Sequence, residues 1–245
     1  MFLHYNIKQN KKKRIKMSKE VKWKGFSKDI IVLDNVVPQE MADKFETIVT
    51  DGYFPWYLIR DIHAHKLTDE SNYRIVYDEN TVNTIQLGHD VFNKENVNKE
   101  INSSIYNEVS AICDHCCEQF DIRPEYLSQR FNMLGQNLSI KEGKYNTPHI
   151  DSRFSDSYSM LYYVNDSDGD TIIFNETIDE KNKKRPEKLT IKKTITPKKN
   201  RAVLFIGNYF HTSTNPTNND KRIVLNVNLI NLNEFEVTTK ENINV

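Results

Sequence analysis

Cysteine is scarce: three in 245 residues, all between Cys113 and Cys117. So small and clustered a set excludes a disulfide framework and points to a reducing, cytoplasmic setting. Charge of one sign is equally lacking. Lysine and arginine number 34, aspartate and glutamate 34, giving a formal net charge of zero, so a general nucleic-acid binder, which needs a basic surface, is not expected. Long apolar runs are missing too. None approaches the roughly 20 residues that span a bilayer, and the N-terminus lacks the apolar core of a secretory signal, so neither membrane insertion nor secretion is expected. What is present is a 38% hydrophobic chain of ordinary composition, long enough for one domain with a substantial core.

Residues Lys8 to Lys16 are strongly basic, and 1–17 read as a disordered tail or the product of an upstream start, with a nucleic-acid or localisation patch as the alternative. Residues 18–125 read as a strand and helical support region. Asp29–Asp34 is a strand, Pro38–Val49 has helical spacing with Pro at its start, and Asn98–Phe120 repeats Ile101, Ile105, Val109, Ile112 and Cys116 at helical intervals. From 126 to 245 strand signals dominate, near 127–134, 159–165, 171–175, 190–196, 202–206 and 222–230. These predict a mainly β double-stranded β-helix (jelly roll) buttressed by the N-terminal helices. Glu176–Lys188 reads as a polar hairpin loop, with a phosphate patch as its alternative.

One constellation carries chemistry. In a strand His149 and Asp151 point to the same face, so both can grip one ion from a single strand end. His211, expected just past the buried strand Arg201–Gly207, supplies a third donor at the barrel mouth. Two imidazoles and a carboxylate occupy one face of an octahedral Fe(II) and leave the other positions for a chelating co-substrate and O₂. Arg222 opens the next strand with Val224, Asn226 and Asn228 on its face. A guanidinium directed inward calls for a carboxylate partner, which its planar fork matches with two hydrogen bonds.

Across Arg130 to Leu229 these residues resemble the 2-oxoglutarate and Fe(II)-dependent dioxygenases, in particular the prolyl hydroxylase-like branch. Tyr158–Asn165 resembles the strand after the His-x-Asp element, Gly169–Phe174 the glycine-led start of the next, and Pro197–Phe205 the approach to the distal histidine. The resemblance implies that His149, Asp151 and His211 bind Fe(II), that Arg222 pairs with the far carboxylate of 2-oxoglutarate, and that Tyr163 donates to the same carboxylate while Tyr162 faces away. The family's frequent Arg-x-Ser is Arg222-Ile-Val224 here, so one supporting hydroxyl is missing. Asn132 or Tyr145 supports the near end of the co-substrate, Asn132 being preferred. The reaction implied is hydroxylation of a C–H bond with release of succinate and CO₂ and with ascorbate as reductant; the carboxylate of Asp151 favours it over halogenation. Peptidyl proline is the first substrate by analogy, with a free amino acid, another small metabolite or a nucleobase as alternatives.

Competing readings are a cupin-like metalloenzyme without 2-oxoglutarate, a catalytically silent jelly-roll binding module, and zinc hydrolysis by the same ligands. His63 and His65 repeat the alternation of His149 and Asp151 in a polar stretch and read as a loop or substrate lid. Cys113, Cys116 and Cys117 with His115 lack the second ligand pair of a zinc site and read as structural. Tyr53–Tyr57 reads as core packing, or as the wall of a substrate pocket.

Overall fold

The computed structural model describes residues 16–59, 74–82, 84–96, 100–151, 156–178 and 184–242. His63 and His65, and the basic stretch up to Ile15, lie outside them. In chain order the elements are β1 (Lys16–Trp23), β2 (Ile30–Asp34), α1 (Gln39–Thr50), β3 (Tyr57–Ile59), β4 (Gln86–Asn93), α2 (Tyr106–Gln119), β5 (Pro124–Gly135), β6 (Ser157–Tyr163), β7 (Thr171–Thr177), β8 (Ile191–Ile195), β9 (Arg201–Ile206), β10 (Tyr209–Ser213), β11 (Lys221–Asn231) and β12 (Phe235–Asn242). No helix among the described residues is long and apolar enough to cross a membrane.

The strands form a jelly roll. A seven-stranded sheet runs β2-β9-β6-β11-β5-β4-β3 and faces a three-stranded sheet, β10-β7-β8. Its strands come from both sides of residue 125. A separate ribbon pairs β1 with β12, so Lys16 and Met17 are strand rather than tail. Alternation along each strand divides the apolar residues between faces. Phe131, Tyr158, Met160, Tyr162, Leu204 and Leu225 point outward and are covered by Ala42, Phe45 and Val49 of α1 and by Val109, Ile112 and the three buried cysteines of α2. On the inner face Leu161, Tyr163, Val203, Phe205 and Val224 pack against Ile173 and Ile195 of the small sheet.

Two expected elements shift. The second helix starts at Tyr106 rather than Asn98, because the preceding residues are drawn to the edge of β4: Ile101 bridges Phe92 and Asn102 N donates to Val91 O at 2.8 Å. In the aromatic stretch, Phe54 and Trp56 join the outer core, whereas Tyr53 is 97% and Tyr57 63% exposed. The cysteines of α2 are unbonded to one another and buried. Burial pushes all three thiols above their usual range, which suits packing rather than thiolate ligation.

Candidate metal centre

His149 is not in a long strand. It joins the small sheet through a single hydrogen-bonded pair with His211, N to O at 3.0 and 2.9 Å in the two directions, and bridges Ile75 on its other side. That pairing sets the two imidazoles side by side, ring centroids 4.6 Å apart. His211 lies inside β10 rather than past a strand end, because Gly207 and Asn208 turn the chain straight back into a new strand. Only glycine fits that turn closely: a Cβ at 207 would meet Ser157 Oγ at 2.9 Å and Ser157 O at 3.0 Å.

Asp151 follows two residues after His149 and shares its face, as alternation requires. Its Oδ1 lies 3.4 Å from His149 Nε2 and its Oδ2 3.4 Å from His211 Nε2. All three donor atoms fall within 4.8 Å of one another, the one such group of ligating side chains among the described residues. Ser159 Oγ and Asn226 Nδ2 both donate to Asp151 Oδ2 at 3.0 Å, which fixes the carboxylate while leaving Oδ1 to coordinate. His149 Nδ1 lies 3.0 Å from Thr147 O, and His211 Nδ1 3.1 Å from Tyr209 O. A carbonyl only accepts, so each Nδ1 carries the proton and each Nε2 keeps its lone pair for the centre. Burial opposes ionisation of Asp151, yet the adjacent imidazoles, His211 foremost, hold its carboxyl well below the ordinary range. Burial likewise opposes charge on His211, and Asp151 raises it nonetheless.

Arg222 is 3% exposed and lines the same cavity as the triad, a space of about 420 Å³. Its Nε donates to Gly169 O at 2.8 Å and its Nη2 to Thr171 Oγ1 at 2.7 Å. Neither partner is charged, and among the described residues no carboxylate pairs with it, while burial pulls the guanidinium below its ordinary pKa. Gly169 is needed for this approach, since a Cβ there would lie 2.8 Å from Thr214 O and 3.1 Å from Arg222 Cδ. Tyr163 is one residue removed from the cavity: its hydroxyl bonds Thr171 Oγ1 at 2.7 Å, and Thr171 rather than Tyr163 lines the wall. Tyr162 faces the outer core. Asn132 lines the cavity on the strand beside β11, with Val224 as its cross-strand partner. Tyr145 is turned away, bonded to Asp78 and packed on Phe174.

Sequence reasoning missed Ser159, Thr171 and the role of Asn226. Period-two alternation from Arg222 does place Asn226 on the inner face. Ser159 becomes visible only once β6 is known to lie beside β11, where it pairs with Asn228.

Residues 135–230, which contain the triad and Arg222, match the family model described as the 2OG-Fe(II) oxygenase superfamily. Among solved structures the chain is similar to an oxidoreductase of the 2OG-Fe(II) oxygenase family from Burkholderia pseudomallei, with 8% identity, a TM-score of 0.53, and coverage of 82% of this chain and 84% of that one. A prolyl-4-hydroxylase from Pseudomonas putida matches at 9% identity and a TM-score of 0.42, over 84% of this chain and 94% of that one. At 8% identity the first of these likenesses speaks to the fold alone. No curated protein is significantly similar in sequence.

Proposed function

We propose, from the match of residues 135–230 to the 2OG-Fe(II) oxygenase superfamily model, that His149, Asp151 and His211 hold one ferrous ion and that Arg222 binds the distal carboxylate of 2-oxoglutarate, in an enzyme that hydroxylates a C–H bond. The observation that carries this reading is convergence: three ligating side chains share a cavity with a buried arginine that has no carboxylate partner among the described residues. The donor set fits the metal. Two neutral imidazoles and a carboxylate suit a facial Fe(II) site, and a dicarboxylate supplies the charge that a desolvated guanidinium needs.

When bound, the ion and 2-oxoglutarate together supply the activation of O₂ that yields succinate, CO₂ and a hydroxylated product. The chain's own residues position and tune. Thr147 and Tyr209 fix the histidine tautomers through their carbonyls; Ser159 and Asn226 orient Asp151. Gly169 and Thr171 hold the Arg222 fork at one end of the cavity, with Tyr163 steadying Thr171 from behind. Leu161 and Val224 form an apolar wall that limits water beside the triad. Asn132 supports the near end of the co-substrate.

The finer reading is a proline ring as substrate, in a peptide or as the free amino acid, supported by the motif resemblance. Ascorbate, as the reductant that keeps iron ferrous, and a cytoplasmic setting complete it. The test is succinate release by purified protein under air with ascorbate and 2-oxoglutarate, with and without Fe(II). Iron-dependent succinate that His149→Ala abolishes supports the proposal. Failure to bind either iron or 2-oxoglutarate removes it, and 2-oxoglutarate binding indifferent to Arg222→Ala favours the cupin-like alternative.

A further inference from the structure

Beyond the triad the cavity continues along a polar stretch of the large sheet, where two more arginines line it. Arg130 on β5 is the cross-strand partner of Asn226, whose amide touches Asp151. It therefore stands one strand further from the metal ligands, a step of about 4.8 Å. Asp90 Oδ1 lies 3.2 Å from Arg130 Nε but off the N–H direction, so this buried N–H makes no hydrogen bond. Gly88 leaves the room that Arg130 occupies, since a Cβ there would sit 3.2 Å from both Nε and Nη2. On the small-sheet side, Arg74 donates through Nη2 to the carbonyl oxygens of Ile150 and Asp151. Its Nε is buried without a partner, and no carboxylate pairs with it among the described residues.

Charge decides what belongs between them. In the oxygenase reading Arg222 is matched by 2-oxoglutarate and Asp151 by the ion. The substrate side then keeps Arg74 and Arg130 against Asp90, a net single positive charge. One carboxylate balances it and fits a guanidinium fork in two hydrogen bonds. A phosphate dianion overshoots, and a capped peptide brings no charge. The cavity of about 420 Å³, shared with 2-oxoglutarate, is at the small end of ligand sites.

We propose, resting on the oxygenase reading above, that the substrate is a small monocarboxylate, a free amino acid or simple organic acid, whose carboxylate is held by Arg130 and Arg74 while a C–H bond faces the triad.

The experiment is calorimetric titration of protein loaded with Mn(II) and 2-oxoglutarate in the absence of oxygen. The probes are a panel of monocarboxylates including free proline, their primary amides, phosphate monoesters of similar size, and a prolyl peptide blocked at both ends. At least one monocarboxylate is expected to bind, and its amide to bind about tenfold more weakly or worse. Arg130→Gln and Arg74→Gln each lower that affinity about tenfold, and Arg130→Lys, which keeps the charge but not the fork, falls between. Melting temperatures of the same samples separate lost recognition from lost fold. The proposal is overturned if no carboxylate in the panel binds, if amides bind equally, if the phosphate esters or the blocked peptide bind more tightly, or if Arg130→Gln changes nothing. Failure of 2-oxoglutarate itself to bind the Mn(II) protein sinks the oxygenase reading and this inference with it; 2-oxoglutarate binding with the carboxylates ignored sinks this inference alone.

Discussion

The inner face of the large sheet has two halves that share one ladder and differ in kind. A single cross-strand row reads Val32, Val203, Leu161, Asn226, Arg130, Asp90. Its first three members pack in the inner core, and its last three line the cavity. The backbone hydrogen-bond pattern is continuous across the change, so the fold does not require either chemistry. Apolar burial stabilises one half; the other half keeps polar groups only partly paired. The lesson is a division of labour: stability is concentrated on the β2-β9-β6 side and the proposed recognition on the β11-β5-β4 side, with the proposed metal ligands facing the seam.

Substitutions on the two sides sharpen or break this contrast. The largest effect is expected from Asp151→Ala, which removes a ligand at the seam. Iron-dependent succinate release falls by more than about a hundredfold, and the melting temperature, read in parallel, stays near wild type. Arg222→Ala raises the 2-oxoglutarate KM by about a hundredfold, since a buried charge pair is broken; an unchanged KM leaves the co-substrate reading without its anchor. Val203→Ala, fully buried on the apolar side, costs about 2 kcal/mol of stability in denaturant titration, while iron affinity per folded molecule is kept. If Asp151→Ala unfolds the protein, or Val203→Ala spares it and weakens iron, the two halves are not separable. Asn226→Ala removes one of the two donors to Asp151 Oδ2 and weakens iron binding about tenfold by equilibrium dialysis.

The smallest effect concerns the loop beneath Arg222. Asp168 accepts from Thr217 Oγ1 and from the backbone N–H groups of Thr217, Asn218 and Asn219. Burial opposes its ionisation, but these donors, with the Thr217 hydroxyl first, hold its carboxyl well below the ordinary range. A depressed folded-state pKa stabilises above the unfolded value of about 4 and fades as pH falls below it. Asp168→Asn therefore lowers stability by about 1 kcal/mol at neutral pH, and melting curves of wild type and variant converge in acid.

Much of this was legible in the sequence. The triad, Arg222 and the strands of the jelly roll follow from alternation and from runs such as Arg201–Ile206, where burial on both faces leaves an unmistakable apolar stretch. What stayed hidden in the polar half is β4, its neighbours β5 and β11 both having been expected. β4 alternates Leu87, His89 and Val91 on its core face, but His89 interrupts the apolar pattern, and Gly88 and Asp90 face the cavity. A strand whose inner face serves a ligand loses the contrast that marks strands at all. His149 was expected within a strand and is instead held by one residue's worth of pairing. The β1–β12 ribbon joins segments that carry no common signal in either alone.

The position of β11 has a consequence for how the chain is made. Among the described residues it is the only strand joining β2-β9-β6 to β5-β4-β3, and it follows every other strand of that sheet in the chain. Pairings this distant in sequence form slowly, and a ribosome delivers the chain from the other end. Until β11 emerges, the two halves have no common neighbour, and Asp151 lacks the amide of Asn226. The nascent chain thus joins its two half-sheets and completes the proposed metal centre in one step, when β11 arrives.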